Sequence, residues 1–284
     1  MNMKYELAVA HRVCPALAKV AVCYDDKFTM VKATALSLAR ALCGIRTKLT
    51  VILDGCDSSY EKLFDEIFAD GAVDGVDYER IATPAIGNHA TYAKQLEILE
   101  RHLPECKYLY FSEDDYIYNP VAFRAMMDCL RLPDVDFVTP LDHPDRYAKL
   151  IPESRRAEIK VSGYCHWREV GTTCCTFMTK YNIFDESKKL LGCYANGGCD
   201  GTLWLGLTKD NIFCLFAMLK NLFNYLFSGR NDWSKCIHIS AWKYHHLNLV
   251  FTRKYRLWGP MPTLAVHLAR PSIPPFADTL LGTD

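Results

Sequence analysis

In KYLYFSEDDYIYNP, residues 107–120, a run of aromatic and aliphatic residues leads straight into Glu113, Asp114 and Asp115. Three adjacent carboxylates repel one another, and a buried carboxylate without compensation is costly, so such a cluster at the end of a buried strand calls for a cation. Hard divalent ions such as Mg²⁺ and Mn²⁺ take oxygen ligands, and Mg²⁺ commonly shares them with substrate phosphates. Glu113 and Asp115 stand at i and i+2, where they can meet a metal and a substrate hydroxyl at a strand tip. The plainer alternative is a solvated acidic turn. The aromatic strand in front argues against it, because it aims the triplet at one edge of a sheet.

Other chemistry-bearing positions fall into the same scheme. Asp25–Asp26 follow the apolar stretch AKVAVCY (18–24), and Asp54 and Asp57 follow KLTVILD (48–54). Asp200 follows Gly197–Gly198 and precedes Thr202, Leu203, Trp204, Leu205 and Leu207, an apolar helical pattern. A carboxylate at a helix N-terminus is favoured by free N–H groups and the dipole, so Asp200 is either an ordinary cap or a positioned base. His267 and Arg270 sit in LAVHLARPSIPP (264–275), and Asp142, His143 and Arg146 in TPLDHPDRY (139–147).

These residues must be held by something, and the periodicities say what. Strands are predicted at 18–24, 48–54, 77–82, 107–112 and 136–140, and helices at 30–43, 58–68 (with a Ser58/Glu61 capping box), 89–103 and 120–132. This alternation means an α/β fold with a mostly parallel central sheet and helices on both faces. Ligands of such sheets bind beyond the carboxyl ends of the strands. The acidic clusters after the first, second and fourth predicted strands would then face one crevice. Residues 141–170 read as a long loop, 171–179 as a strand and 199–208 as a short helix. The domain division is a catalytic unit, 1–210, and an irregular or helical C-terminal extension, 211–284, packed on it.

Composition limits the alternatives. The chain has 284 residues, half of them hydrophobic, with 33 basic and 33 acidic residues, so nothing global marks a nucleic-acid binder. Thirteen cysteines, mostly in apolar runs, read as reduced core residues of a reducing compartment. There is no C-x-x-C pair, and adjacent Cys174 and Cys175 would point apart on a strand, which disfavours zinc. No secretory signal and no spanning helix are read, so the expected location is cytoplasmic.

The order of motifs resembles the family 2 glycosyltransferases, which have the GT-A fold. VILDGCDSS (51–59) is similar to that family's second-strand signature, GNHATYAKQLEIL (87–99) to the loop and helix before its metal motif, FSEDDYIYNP (111–120) to its DXD-type motif, and GGCDGTLWLGL (197–207) to the stretch carrying its catalytic base. The resemblance covers roughly residues 18–210. It departs at CYDDKF, where the family has Pro-x-Tyr-Asn, at Glu113 in place of Asp, and at Cys199 in place of an acidic residue.

The resemblance implies an inverting transfer of a sugar from a nucleoside diphosphate (UDP, dTDP or GDP type) to a hydroxyl of a saccharide or lipid-linked glycan acceptor, assisted by Mg²⁺ or Mn²⁺. Asp200 would be the catalytic base. Asp115, Glu113 and His267 would hold the metal. Asp25, Asp26, Asp54, Asn88, Lys94, Glu113, Asp114 and Arg270 would bind the donor, with Asp54 on the base. Asp142, His143 and Arg146 would meet the acceptor. A non-catalytic nucleotide- or glycan-binding protein and a sugar nucleotidyltransferase are the competing classes. The latter would want a glycine-rich basic loop after the first strand, where this chain has DDKFTM.

One segment stands apart. NIFCLFAMLKNLFNYLFSGR (211–230) is apolar nearly all round, with Lys220, Asn221 and Asn224 on one helical face and further cations downstream. It reads either as an interfacial helix on the inner face of an anionic membrane or as a buried core or homodimer helix.

Overall fold

The computed structural model describes residues 3–16, 23–143, 147, 158–163, 165–227 and 237–268. Its first strand is β1 (Tyr5–Val13), whose apolar stretch Leu7–Ala10 lies between Glu6 and the pair His11–Arg12. Most of the strand expected at 18–24 lies outside the described residues, and its last two positions, Cys23 and Tyr24, belong to the irregular lead into α1 (Lys27–Leu42). Asp25 and Asp26 therefore do not end a strand. Asp26 caps α1, accepting from the Thr29 amide at 2.8 Å and the Thr29 hydroxyl at 2.6 Å.

The next elements lie close to where the spacing predicts them: β2 (Thr47–Asp54), α2 (Ser58–Phe68), β3 (Val76–Thr83), α3 (Asn88–Arg101) and β4 (Cys106–Glu113). The cap of α2 is Asp57 rather than Ser58; its carboxylate accepts from the Ser59 amide at 2.8 Å. The short strand β5 (Tyr116–Tyr118) follows the acidic triplet, then α4 (Ala122–Leu130) and β6 (Phe137–Val138).

The second half is more regular than its sequence suggests. The expected loop 141–170 ends in a hairpin, β7 (Ile159–Ser162) and β8 (Cys165–Val170), with Gly163 at φ 57° in the turn. The expected strand 171–179 is reduced to β9 (Phe177–Lys180), and Cys174–Cys175 lie in the irregular approach to it, not on a strand. An unanticipated helix α5 (Tyr181–Ala195) packs through Ile183, Phe184, Leu190, Leu191 and Tyr194. Then come α6 (Asp200–Thr208), α7 (Leu215–Phe227), α8 (Ile237–Phe251), β10 (Leu257–Met261) and β11 (Ala265–His267).

The nine-stranded central sheet has the order β3-β2-β1-β4-β9-β6-β10-β8-β7, and within it only β8 and β9 run against the common direction. β10, from the C-terminal segment, lies between β6 and β8, so residues 211–284 contribute a strand to the main sheet. Leu7, Val9 and Val13 of β1 face a core shared with α1, α2 and α4; Ala8 and Ala10 face a second core shared with α3, α5 and α6. Burial on both faces explains why these strands read as apolar runs rather than alternating ones.

α8 packs on α6 with little room. A Cβ on Gly206 would lie 2.4 Å from Cδ2 of the buried His245 ring, so only glycine permits that approach. Burial pushes the His245 pKa down to about 4, against an opposing Thr202 backbone contact. The neutral ring is the one the fold favours. Its stabilisation is complete above the unfolded-state pKa of about 6.5 and is lost as pH falls from there towards 4, a change of order 2–3 kcal/mol. In urea titrations, the stability difference between wild type and His245→Leu is expected to shrink by that amount between pH 7 and pH 4.5. A difference that stays constant would clear His245 of any part in acid sensitivity.

Candidate active site

The carboxyl ends of β1, β2 and β4 and the first turns of α1, α3 and α6 open onto one pocket of about 520 Å³, a volume in the range that takes small ligands and cofactors. Asp54, Asn88, Glu113, Asp114, Asp115, Asp200 and His267 all line it.

The acidic triplet is neutralised residue by residue, from three different places in the chain. Arg12 and Glu113 are register partners across the β1–β4 pair, and Arg12 Nη2 donates to Glu113 Oε1 at 2.6 Å. The other Glu113 oxygen, Oε2, accepts from the Thr176 hydroxyl at 2.9 Å. Lys27, in the first turn of α1, donates to Asp114 Oδ1 at 2.7 Å, while the Cys14 amide donates to Oδ2 at 2.9 Å. Burial still pushes the Asp114 carboxyl up, to about 6, against the pull of Lys27. His267 Nε2 stands 2.9 Å from Asp115 Oδ2. β11 brings it there by pairing antiparallel with β5, where His267 faces Tyr116 and stacks on its ring at 4.8 Å. Burial works against a charged His267 ring, but the Asp115 carboxylate and the Cys174 thiol together outweigh it and raise the pKa to about 11.

Of these three counter-charges only His267 belongs to a residue type that, once neutral, commonly ligates a metal. Two donors about 2.1 Å from one octahedral ion, at a right angle, stand about 3 Å apart. The 2.9 Å between His267 Nε2 and Asp115 Oδ2 fits that requirement. Among the described residues no group of three or more His, Cys, Asp or Glu side chains could hold a metal by itself. The remaining ligands would have to be water and a substrate, which Mg²⁺ and Mn²⁺ accept. Glu113, with both oxygens engaged, is placed as a wall of the pocket.

Asp54 is turned inward. Its Oδ1 accepts from the Thr83 hydroxyl at 2.8 Å and the Ile86 amide at 2.6 Å, and its Oδ2 from the Gly87 amide at 2.8 Å. Gly55 permits the close approach, since a Cβ there would meet that of Ala85 at 2.8 Å. A base N–H would have to compete with these donors, so Asp54 acts by fixing the loop that starts α3 and presents Asn88. Asp54→Asn puts an amide NH₂ against backbone N–H groups and is expected to cost about 1–3 kcal/mol, read as a lower melting temperature together with weaker ligand binding. A variant as stable as wild type would show that the loop does not depend on this carboxylate.

Asn88 joins two walls. Its backbone oxygen accepts from Arg12 Nη1 at 2.9 Å, its side-chain oxygen accepts from the same nitrogen, and its Nδ2 donates to the Tyr194 hydroxyl at 2.8 Å. Asp200 is the first residue of α6, and the cap position before it is Cys199. The Cys175 thiol lies 3.2 Å from Asp200 Oδ1.

Several expected site residues lie elsewhere. Asp25 and Asp26 are exposed before α1 and do not line the pocket. Lys94 points away and pairs with Glu97 at 2.8 Å. Asp142 is buried and accepts from Tyr147 and Arg168, and neither it nor His143 lines the pocket. Arg146 and Arg270 lie outside the described residues. Conversely, Arg12, Lys27, Thr176 and Tyr194 escaped the sequence reading. The signal for Arg12 was present: a His-Arg pair interrupting an apolar run just before Cys14–Pro15.

No family model matches the chain, and no curated protein does. Solved structures with a comparable arrangement include 4-diphosphocytidyl-2C-methyl-D-erythritol synthase from Anaerococcus prevotii DSM 20548, at 10% identity and TM-score 0.38 over 68% of this chain and 75% of that one. S. aureus TarS 1–349 aligns at 12% identity and TM-score 0.40, over 67% of this chain and 55% of that one. A cytidylyltransferase from Leptospira borgpetersenii serovar Hardjo-bovis (strain JB197) aligns at 10% identity and TM-score 0.35, over 66% and 64%. This chain itself is a mixed α/β arrangement around a large, mostly parallel sheet.

Proposed function

We propose that the chain is a glycosyltransferase that uses a nucleoside-diphosphate sugar, a divalent metal and a hydroxyl acceptor, with inversion at the anomeric carbon. The observation that carries this reading is the placement of Asp115 with His267 and of Asp200 on the walls of one pocket at the carboxyl edge of the sheet. A diphosphate leaving group needs its charge neutralised, and a metal held by Asp115 and His267 would supply that Lewis acidity. The chain's own residues do the rest. Arg12, fixed by Glu113 and Asn88, orients the loop at the start of α3. Lys27 holds Asp114 and the turn behind Asp115 in place. Asp200, in the first turn of α6, takes the proton from the acceptor hydroxyl.

Incubation with Mg²⁺ or Mn²⁺ and a panel of UDP-, dTDP- and GDP-sugars tests the reading, because transfer or slow hydrolysis releases a nucleoside diphosphate. Pyrophosphate release from a nucleoside triphosphate and a sugar phosphate would replace it with nucleotidyl transfer. Binding without turnover of any donor would leave a nucleotide-binding protein.

A further inference from the structure

The helices α7 and α8 turn an apolar face outward. Leu215, Phe216, Leu219, Phe223 and Leu226 form one stripe along α7, and each is more than half exposed. Leu247, Val250 and Phe251 of α8 are exposed to the same degree. The two helices pack against each other, with Phe213 edge-on to Trp242 at 5.7 Å. Soluble proteins seldom expose contiguous apolar area of this kind without a use for it. Among the described residues no helix is long and apolar enough to cross a membrane.

The charge pattern says what covers the face. Between residues 211 and 256 the sequence carries seven Lys or Arg, at positions 220, 230, 235, 243, 253, 254 and 256, and one acidic residue, Asp232, in a chain of zero net charge. Arg253 and Arg256 engage Asp136, Glu186, Glu158 and Glu169. Lys220 and Lys243 are exposed, and neither α7 nor α8 contains an acidic residue. A second copy of the chain would bring like charges together across a two-fold interface. An anionic bilayer offers apolar depth for the stripe and negative headgroups for the lysines.

We infer that the α7–α8 face docks in the plane of an anionic membrane surface. α8 also packs on α6, the helix that begins with Asp200, and the Tyr244 hydroxyl donates to the Asn196 carbonyl at 3.3 Å just ahead of it. Docking would thus set the Asp200 wall of the pocket near the bilayer; that consequence, unlike docking itself, rests on the proposed transferase reading and points to an acceptor carried on a lipid.

Flotation with phosphatidylcholine–phosphatidylglycerol vesicles, without donor or metal, tests docking separately from catalysis. Wild type is expected to float, and pure phosphatidylcholine or high salt to reduce binding. Phe216→Glu with Phe223→Glu should lower the bound fraction at least about tenfold, since two charges would enter the apolar layer. Lys220→Glu with Lys243→Glu should lower it on anionic vesicles only. Both variants should keep the wild-type melting temperature and nucleoside-diphosphate affinity. Wild type remaining unbound overturns the inference, as does equal flotation of all variants. A solution dimer broken by the Phe variants, without flotation, would assign the face to a second copy and overturn it too.

Discussion

Asp200→Asn is expected to leave folding and donor binding intact while transfer falls by about 10²–10⁴-fold, the usual effect of removing a general base. The substitution separates two roles that coincide at a helix start. Because the cap position is Cys199, the structural part of Asp200 includes its interaction with the dipole and with the Cys175 thiol. Losing the dipole interaction costs only about 0.3–1 kcal/mol. Asn keeps the size and an acceptor oxygen but cannot take a proton. Melting temperature, nucleoside-diphosphate affinity and transfer rate should therefore part company, with only the rate collapsing. Wild-type product should show inverted anomeric configuration by NMR. An active Asp200→Asn enzyme, or retention, sinks the assignment.

Asp115→Asn is expected to remove metal-dependent binding of a nucleoside diphosphate. Changes outside the ligand shell alone cost 10–100-fold in metal affinity, so loss of a direct ligand should cost more than about 100-fold. Calorimetry with UDP and GDP, with and without Mg²⁺ or Mn²⁺, measures it. Metal-independent affinity should change little, because Arg12, Lys27 and Asn88 remain in place. Lys94→Ala is the control: its side chain pairs with Glu97 outside the pocket, and it should bind as wild type does. Unchanged metal-dependent affinity in Asp115→Asn would remove that residue from the site.

The elements of the first half were legible because each carries its own local signature. Apolar residues three and four apart mark α3, Gly44 and Pro104 mark helix ends, and the aromatic run of β4 marks a buried strand. β1 was missed for a physical reason: a strand buried on both faces has no alternation, and its central alanines lack β-branched or aromatic character. The hairpin β7–β8 is hard to read locally because its apolar signal is partly inverted: Ile159 and Val161 point outward, and His166, Arg168 and Glu169 interrupt the buried positions Cys165, Trp167 and Val170. The helix α5 carries its signature in Ile183, Phe184, Leu190 and Leu191, which share its buried face.

What the sequence by itself determined is the local part: a carboxylate triplet at the end of a buried strand, an aspartate at a helix start, and the alternation that places both at one edge of a sheet. Backbone periodicity and capping act within a few residues, so they are written in consecutive letters. The partners of those carboxylates were decided by tertiary structure alone. Arg12 meets Glu113 across 101 positions because β1 and β4 pair in one particular register. Lys27 reaches Asp114 across 87 positions, and His267 reaches Asp115 across 152, once β11 is laid beside β5. A buried charge demands a counter-charge but does not say which one. Strand order and register make that choice, and here they set a histidine, rather than an arginine or a lysine, beside Asp115.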